Sequence, residues 1–301
     1  GSRRSHDERA VARARVTAPA RSAFQGELGA FSEEAIRNVD PHATPLPCRD
    51  FIDVAQAVES GEADAGVLPI ENTLAGSVVG SYDALTACES LHVIAETVVE
   101  IHHCMLGLRG AALDGLATVE SHPVALAQCT RWLRAHPSIV VRAAYDTAGA
   151  ARDVAARGDS GAAAIAGRGA AARYDLDILA ANIEDRSDNQ TRFLLVARAP
   201  RELERGVAAR TALLITTPNV PGSLLRVLEP LARHGINMSK LESRPADEPW
   251  HYRFFLELDH SAGDPSLTAA LGQLRTATES LRVLGTYSRW IAGRAGSGMP
   301  D

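Results

Sequence analysis

The chain has 301 residues, 46% of them hydrophobic, and a formal net charge of −6, which carries an expectation of two domains with a core each. The negative balance, without a basic stripe interleaved with aromatics, excludes a surface that holds nucleic acid by counterion release. No apolar run approaches the roughly 18 residues of a membrane-crossing helix, so no membrane partner is read.

Residues 1–20 are rich in Arg and Ala, lack the apolar core of a secretory signal, and read as a disordered arm. From about residue 21, short apolar runs alternate with helical stretches. In "DFIDVAQAVESG", Phe51, Val54, Ala55 and Val58 recur at helical spacing and Gly61 is placed to end the helix. "ADAGVLPIEN" reads as a buried strand with a polar end, and "LHVIAETVVEIHHCMLGL" supplies two strands over 91–108. "GLATVESHPVALAQCTRWLRAH" reads as strand, turn and helix, and "SIVVRAAYDTAGAARDVAARGDSGAAAIAG" repeats the scheme. Strands alternating with helices predict an α/β architecture with largely parallel sheet. "DNQTRFLLV", 188–196, follows, a polar head running straight into an apolar strand; turn chemistry is its plain explanation.

The charged stretch "APRELERGVA" at 199–208 marks a domain boundary. Beyond it the pattern predicts strand 210–217, helix 221–234, strand 236–244, strand 250–259, helix 266–278 and strand 281–288. Leu224, Val227, Leu228 and Leu231 form one helix face, and Leu267, Leu271 and Leu274 another. A βαββαβ order describes a ferredoxin-like sandwich, with two helices covering one face of an antiparallel sheet.

The four cysteines, Cys48, Cys88, Cys104 and Cys129, lie far apart without CxxC spacing, which fits reduced thiols in the cytoplasm better than a disulfide framework or a zinc site. Lys240 is the only lysine, so arginine carries nearly all the positive charge and no single Arg argues for a function by itself.

Polar clusters fall where strands end, which is where open α/β sheets place ligands. In "GELGAFSEEA", Gly26 and Gly29 permit a tight turn and Ser32 is placed to cap a helix whose free N–H groups suit an anion. In "PIENTLAGSV", Glu71, Asn72 and Thr73 follow a strand; a hinge explains them equally well. In "ESHPVALAQC", Ser121 and His122 precede Pro123 at a helix start, with Gln128 about two turns on. His102 and His103 are read in a strand, facing opposite sides, which argues against a metal there. "GRGAAA" at 167–172 lacks the spacing of a dinucleotide or phosphate loop.

Taken together, "GELGAFS", "LPIENTLAGSV", "SHPVALAQC", "AAARYDLDILAANIEDRSDNQTRF" and "NVPGSLLRVLEPLARHGINMSKLESRP" occur in the order and at the rough spacings of prephenate dehydratases. The chain resembles that family over about residues 22–290, most specifically in Thr-Arg-Phe at 191–193 and Glu-Ser-Arg-Pro at 242–245. The resemblance implies a carbon–oxygen lyase of phenylalanine biosynthesis that converts prephenate to phenylpyruvate with loss of carbon dioxide and water. Because the ring becomes aromatic, the reaction is downhill and needs no cofactor or metal. Residues 21–200 would form a two-lobed catalytic domain like periplasmic binding proteins, the second lobe spanning about 101–175, with the active site between the lobes. Residues 207–291 would be an ACT domain taking phenylalanine as feedback inhibitor, 292–301 a flexible tail, and the enzyme a homodimer or homotetramer.

The resemblance also assigns residues. Thr191 would donate a hydrogen bond to the departing hydroxyl, and Arg192 would fork onto a substrate carboxylate. Alternation sets these two on opposite faces if both lie in the strand, which places one of them outside it. Asn72, Ser121 and Gln128 would offer neutral donors, which suit a carboxylate that must leave as neutral carbon dioxide. Glu71 and His122 are supporting groups or a proton source, and Ser32 and Phe193 complete the substrate-binding set. For phenylalanine, Gly222, Ser223 and Leu224 open a helix toward the carboxylate, Asn237 and Glu242 receive the ammonium group, and Met238 and Ser243 complete the pocket. Ser223, Leu225 and Met238-Ser239 depart from the family's common Ala, Val and Leu-Thr, and ordinary core is the plain reading of at least two of Leu224, Leu225 and Met238. The rivals are an arogenate dehydratase, which performs the same elimination on the amino-acid analogue, and a non-catalytic amino-acid sensor.

Overall fold

A computed structural model describes residues 21–290; the expected arm at 1–20 and tail at 292–301 lie outside the described residues. In chain order the first lobe holds β1 (Arg21–Gln25), α1 (Phe31–Val39), β2 (Thr44–Cys48), α2 (Phe51–Ser60), β3 (Ala65–Asn72), β4 (Gly76–Ser77), α3 (Val79–Ala87) and β5 (His92–Glu100). The second lobe holds β6 (Cys104–Gly107), β7 (Thr118–Ser121), α4 (Pro123–Gln128), α5 (Thr130–Ala135), β8 (Val140–Ala143), α6 (Thr147–Arg157), β9 (Ala162–Ala166), α7 (Arg168–Tyr174) and β10 (Asp177–Ala180). β11 (Gln190–Ala197) returns to the first lobe. A third unit follows, with β12 (Ala208–Thr216), α8 (Ser223–Arg233), β13 (Asn237–Pro245), β14 (Tyr252–Ser261), α9 (Pro265–Ala277) and β15 (Ser280–Ser288).

The first sheet has the order β2-β1-β3-β11-β5, and the second β10-β6-β9-β7-β8. β1, β2 and β3 are parallel, as are β7, β8 and β9, but β11 runs antiparallel to both its neighbours, and β6 and β10 are antiparallel too. Both sheets are therefore mixed, where the alternating pattern predicted largely parallel ones. The exceptions are the strands next to the two crossings between lobes: β6 and β11 are reached directly, without a crossover helix, so nothing forces them parallel.

Local chemistry explains the helix ends. Asp50 caps α2 by accepting from the Asp53 N–H, and Gly61 ends it in the left-handed region at φ 85°. The N-cap of α1 is Ala30, not Ser32, and Ser32 makes no cap hydrogen bond. Instead the Glu33 carboxylate reaches back to the Gly29 N–H at 2.6 Å. The helix near residue 128 breaks at Cys129, and Asp185 caps the second piece through the Thr130 and Arg131 N–H groups.

The third unit has the order β13-β14-β12-β15 with antiparallel pairs, and Leu213, Val227, Leu231, Leu256 and Leu274 form the core between its sheet and its helices. The opposite face of that sheet docks on the first lobe. Ala212, Phe255, Leu284 and Tyr287 are buried with Leu68, Ile70, Tyr82 and Leu194 in one continuous core. β15 crosses β5 so closely that a Cβ on Gly285 would overlap the Val93 carbonyl oxygen.

β11 shows how this architecture sorts side chains. Leu194 and Val196 enter the core shared with the third unit, whereas Phe193 and Leu195 pack under α1 with Phe24 and Ile36. Thr191 and Arg192 both lie in the strand, so the expectation that one of them sits outside it is not met. Alternation holds and turns them to opposite faces.

Candidate active site

The cleft ends of β3 and β11 meet the second lobe around a connected set of amides. Asn72 and Thr191 are register partners, and Asn72 Nδ2 donates to Thr191 Oγ1 at 2.9 Å, to Asn189 Oδ1 at 2.8 Å and to the Gln190 carbonyl at 3.1 Å. Asn72 Oδ1 accepts from the Leu74 and Ala75 N–H groups at 3.0 and 2.8 Å, which fixes the orientation of the amide. The polarity then propagates: Asn189 Nδ2 donates to Gln128 Oε1 at 3.0 Å, and His103 Nε2 lies 2.9 Å from the same oxygen, so it carries the proton. Two donors are left over. Thr191 accepts from Asn72 and its own hydroxyl proton is free, and Gln128 Nε2 has no hydrogen-bond partner among the described residues.

His103 is 2% exposed, and its Nδ1 has no partner. Burial pushes this imidazole below its ordinary value, so it is neutral at pH 7. The two histidines lie in the hinge between β5 and β6, not in a strand, yet they still diverge. His102 bonds Glu184 at 2.8 Å, and that bond pushes its imidazole up.

The turn after β1 joins the lobes. The Glu27 N–H donates to Asp146, Tyr145 Oη donates to the Glu27 carboxylate, and Arg152 pairs with it at 2.6 Å. Gly29, at φ 90°, sits against the Ala170 backbone with no room for a side chain. Alongside, where α1, the hinge and α7 meet, is a cavity of about 590 Å³ lined by both signs of charge, Arg37, Arg168 and Arg173 with Glu33, Glu34 and Glu100.

Over residues 22–201 the sequence matches the family described as prephenate dehydratase, and over residues 211–276 the ACT domain family. The chain belongs to the prephenate dehydratase family. It is 37% identical over 282 residues, 89% of its length and 71% of the relative's, to "Arogenate dehydratase 2" of Petunia hybrida. A prephenate dehydratase of Arthrobacter aurescens, solved in complex with L-Phe, matches with a TM-score of 0.83 at 33% identity, covering 89% of this chain and 90% of that one. GqqA, described as a novel type of quorum quenching acylase, matches with a TM-score of 0.83 at 34% identity, covering 90% and 98%.

In this prephenate dehydratase family member, the structure brings Thr191, Asn72 and Gln128 together and leaves other expected residues elsewhere. Arg192 points away from the cleft to Glu96, Glu257 and Glu71, at 3.0, 2.9 and 3.4 Å, so it does not meet a substrate carboxylate. Glu71 shares that face. Burial alone would raise its carboxyl, but Lys240 and Arg192 outweigh this and hold it below the usual range, which removes it as a proton source. Ser121 is fully buried and donates to the Ile165 carbonyl at 2.6 Å, so its hydroxyl holds the second lobe together. Phe193 is core, His122 accepts the Val124 N–H as a helix cap, and Ser32 is buried in α1. Asn189 and His103 were not predicted. Asn189 sits in the polar head of "DNQTRF", but nothing local distinguishes a relay amide from a turn residue.

In the ACT domain, Gly222 caps α8 at φ 81°, Ser223 is buried and accepts from Arg226, and Leu224 is half-buried. Met238 packs against the core, whereas Leu225 is 68% exposed and is not core. Asn237 and Glu242 lie five residues apart on β13, about 16 Å at strand rise, so within one chain they cannot both receive one ammonium group. Glu242 instead accepts from Ser77 at 2.7 Å, and Ser243 is exposed.

Proposed function

We propose that the cleft carries out the lyase reaction on prephenate, with Thr191 as the hydrogen-bond donor to the departing hydroxyl. The C1–carboxylate bond breaks, its electron pair closes the ring double bonds into an aromatic system, and the C4–oxygen bond breaks with uptake of a proton to give water. Charge develops on the departing oxygen, and a pre-aimed neutral donor stabilises it without holding the carboxylate. The observation that carries this reading is the orientation of Asn72, which makes Thr191 Oγ an acceptor on one side and frees its proton on the other. Gln128 Nε2 supplies the second donor. Carboxylate recognition falls to Arg168, which lines the neighbouring cavity and has no ion-pair partner among the described residues.

Acyl transfer, the activity named for GqqA, needs a nucleophile activated by a base. In this cleft Ser121 bonds a carbonyl and Thr191 an amide, and neither hydroxyl meets a histidine, which favours the elimination. Four free cysteines among the described residues support the cytoplasm as compartment, and no described helix is long and apolar enough to cross a membrane. Among the described residues β13 pairs on one side only and offers a second copy an edge, in support of a homo-oligomer.

The test is to follow phenylpyruvate and phenylalanine while the protein is given prephenate or arogenate, with and without added phenylalanine. Phenylpyruvate formation from prephenate that phenylalanine slows is the expected result. Preference for arogenate reassigns the substrate and keeps the chemistry, and product from neither overturns the reading.

A further inference from the structure

We infer that the ACT domain is a working part of the reaction centre: Lys240 and Glu257 hold the Glu71–Arg192 pair in place and thereby align Asn72 and Thr191 on its other side. The inference rests on the reading of Thr191 and Asn72 given above.

Across β3 and β11, Asn72 faces Thr191 and the next pair is Glu71 with Arg192. Because side chains alternate, the first pair looks into the cleft and the second into the ACT interface. On the ACT side, Lys240 and Glu257 are register partners across β13 and β14. The two pairs meet as a square of alternating charge, with Lys240 Nζ 3.0 Å from Glu71 and Arg192 2.9 Å from Glu257. Glu96 backs the square by joining Arg192 at 3.0 Å and Arg210 at 2.9 Å. A strap runs beside it, since Ser77, the register partner of Glu71 in β4, donates to Glu242 on β13.

Burial stiffens the Arg192–Glu257 side of the square, while Glu71 keeps 44% of its side chain exposed. The Arg192 and Glu257 side chains are only 15% and 7% exposed, and removing one partner of such a pair strands the other charge away from water. Each catalytic-side residue is therefore one peptide unit from a side chain the ACT domain grips. Lys240 is also the sole lysine in a chain that otherwise uses arginine, and it stands where a compact ammonium fits beneath the Tyr82 ring, 6.0 Å from its centroid. Lys240 and Glu257 are positioning residues, since they touch no reacting atom. Small displacements of a reacting-centre donor are costly, which is how a grip on the far face of a sheet reaches turnover.

The experiment uses the full chain with Lys240→Met, Glu71→Gln and the double variant. Each single substitution is expected to lower kcat on prephenate about tenfold with KM within about twofold, because alignment is lost and binding is not. The Thr191 methyl resonance is expected to shift in each, and the double variant to be no slower than the slower single one, since both break the same link. Loss of thermal stability with kcat and the Thr191 methyl unchanged would mean a merely structural pair and overturn the inference, as would additive effects. A wild type without activity on either substrate defeats the functional reading instead, and the methyl resonance then decides the alignment by itself.

Discussion

Asn72 Nδ2 sits 2.9 Å from Thr191 Oγ1 and points its hydrogen at that oxygen, because its own Oδ1 is held by two backbone N–H groups of the β3–β4 turn. Thr191→Ala removes the donor and is expected to lower kcat about a hundredfold or more with the fold intact. Asn72→Asp tests the polarity. A carboxylate there accepts the Thr191 proton instead of freeing it and faces the Asn189 oxygen, so kcat should fall at least as far as for Asn72→Ala. Steady-state kinetics with circular dichroism check both, and an Asp variant more active than the Ala variant would sink the polarity argument.

Arg168→Ala is expected to raise KM for prephenate about tenfold and to change kcat less, because in the proposed reading the residue binds a carboxylate that persists through the reaction. A KM that stays put, with kcat reduced, would place Arg168 outside substrate recognition.

His103 gives the site a dependence on acid. Its folded-state pKa lies below the unfolded value of about 6.5, so the unfolded chain takes up a proton first as pH falls. Stability from this group is complete above pH ~6.5 and is lost below it. The difference in Tm between wild type and His103→Gln should narrow from pH 7.5 to 5.5, as calorimetry can show. A gap independent of pH would mean that the buried imidazole does not titrate in this window.

Gly285→Ala tests the docking of the ACT domain on β5. The added methyl meets the Val93 carbonyl, a backbone atom that cannot rotate away, and should cost about 1–3 kcal/mol as overpacking does. Denaturant unfolding measures it, and an unchanged midpoint would mean that the interface yields.

Some of this was readable along the chain. The helix over residues 51–60 was legible with its Gly61 cap, because spacing and capping are properties of neighbours in sequence. The βαββαβ order was legible for the same reason, as each switch from period two to period 3.6 is local. The mixed sheets were not, since strand direction depends on which strands meet after the chain crosses between lobes. At α1 no side chain caps the helix, and Glu33 instead reaches back to the Gly29 N–H ahead of the Ala30 N-cap, because the turn brings that group within range of a longer side chain.

The sequence by itself determined the Thr-Arg-Phe strand and the two kinds of domain, and it marked Thr191, Asn72 and Gln128 as neutral hydrogen-bonding groups, because motif, period and residue type need no partner to be read. Only the tertiary structure decided that Arg192 serves the ACT interface, that Ser121 is committed to Ile165, and that Asn189 and His103 complete the amide chain. The direction a side chain faces is set by the strands beside it, and the group it meets comes from residues far away in the chain. Arg192 finds Glu257 65 positions on, and nothing nearer in sequence announces that meeting.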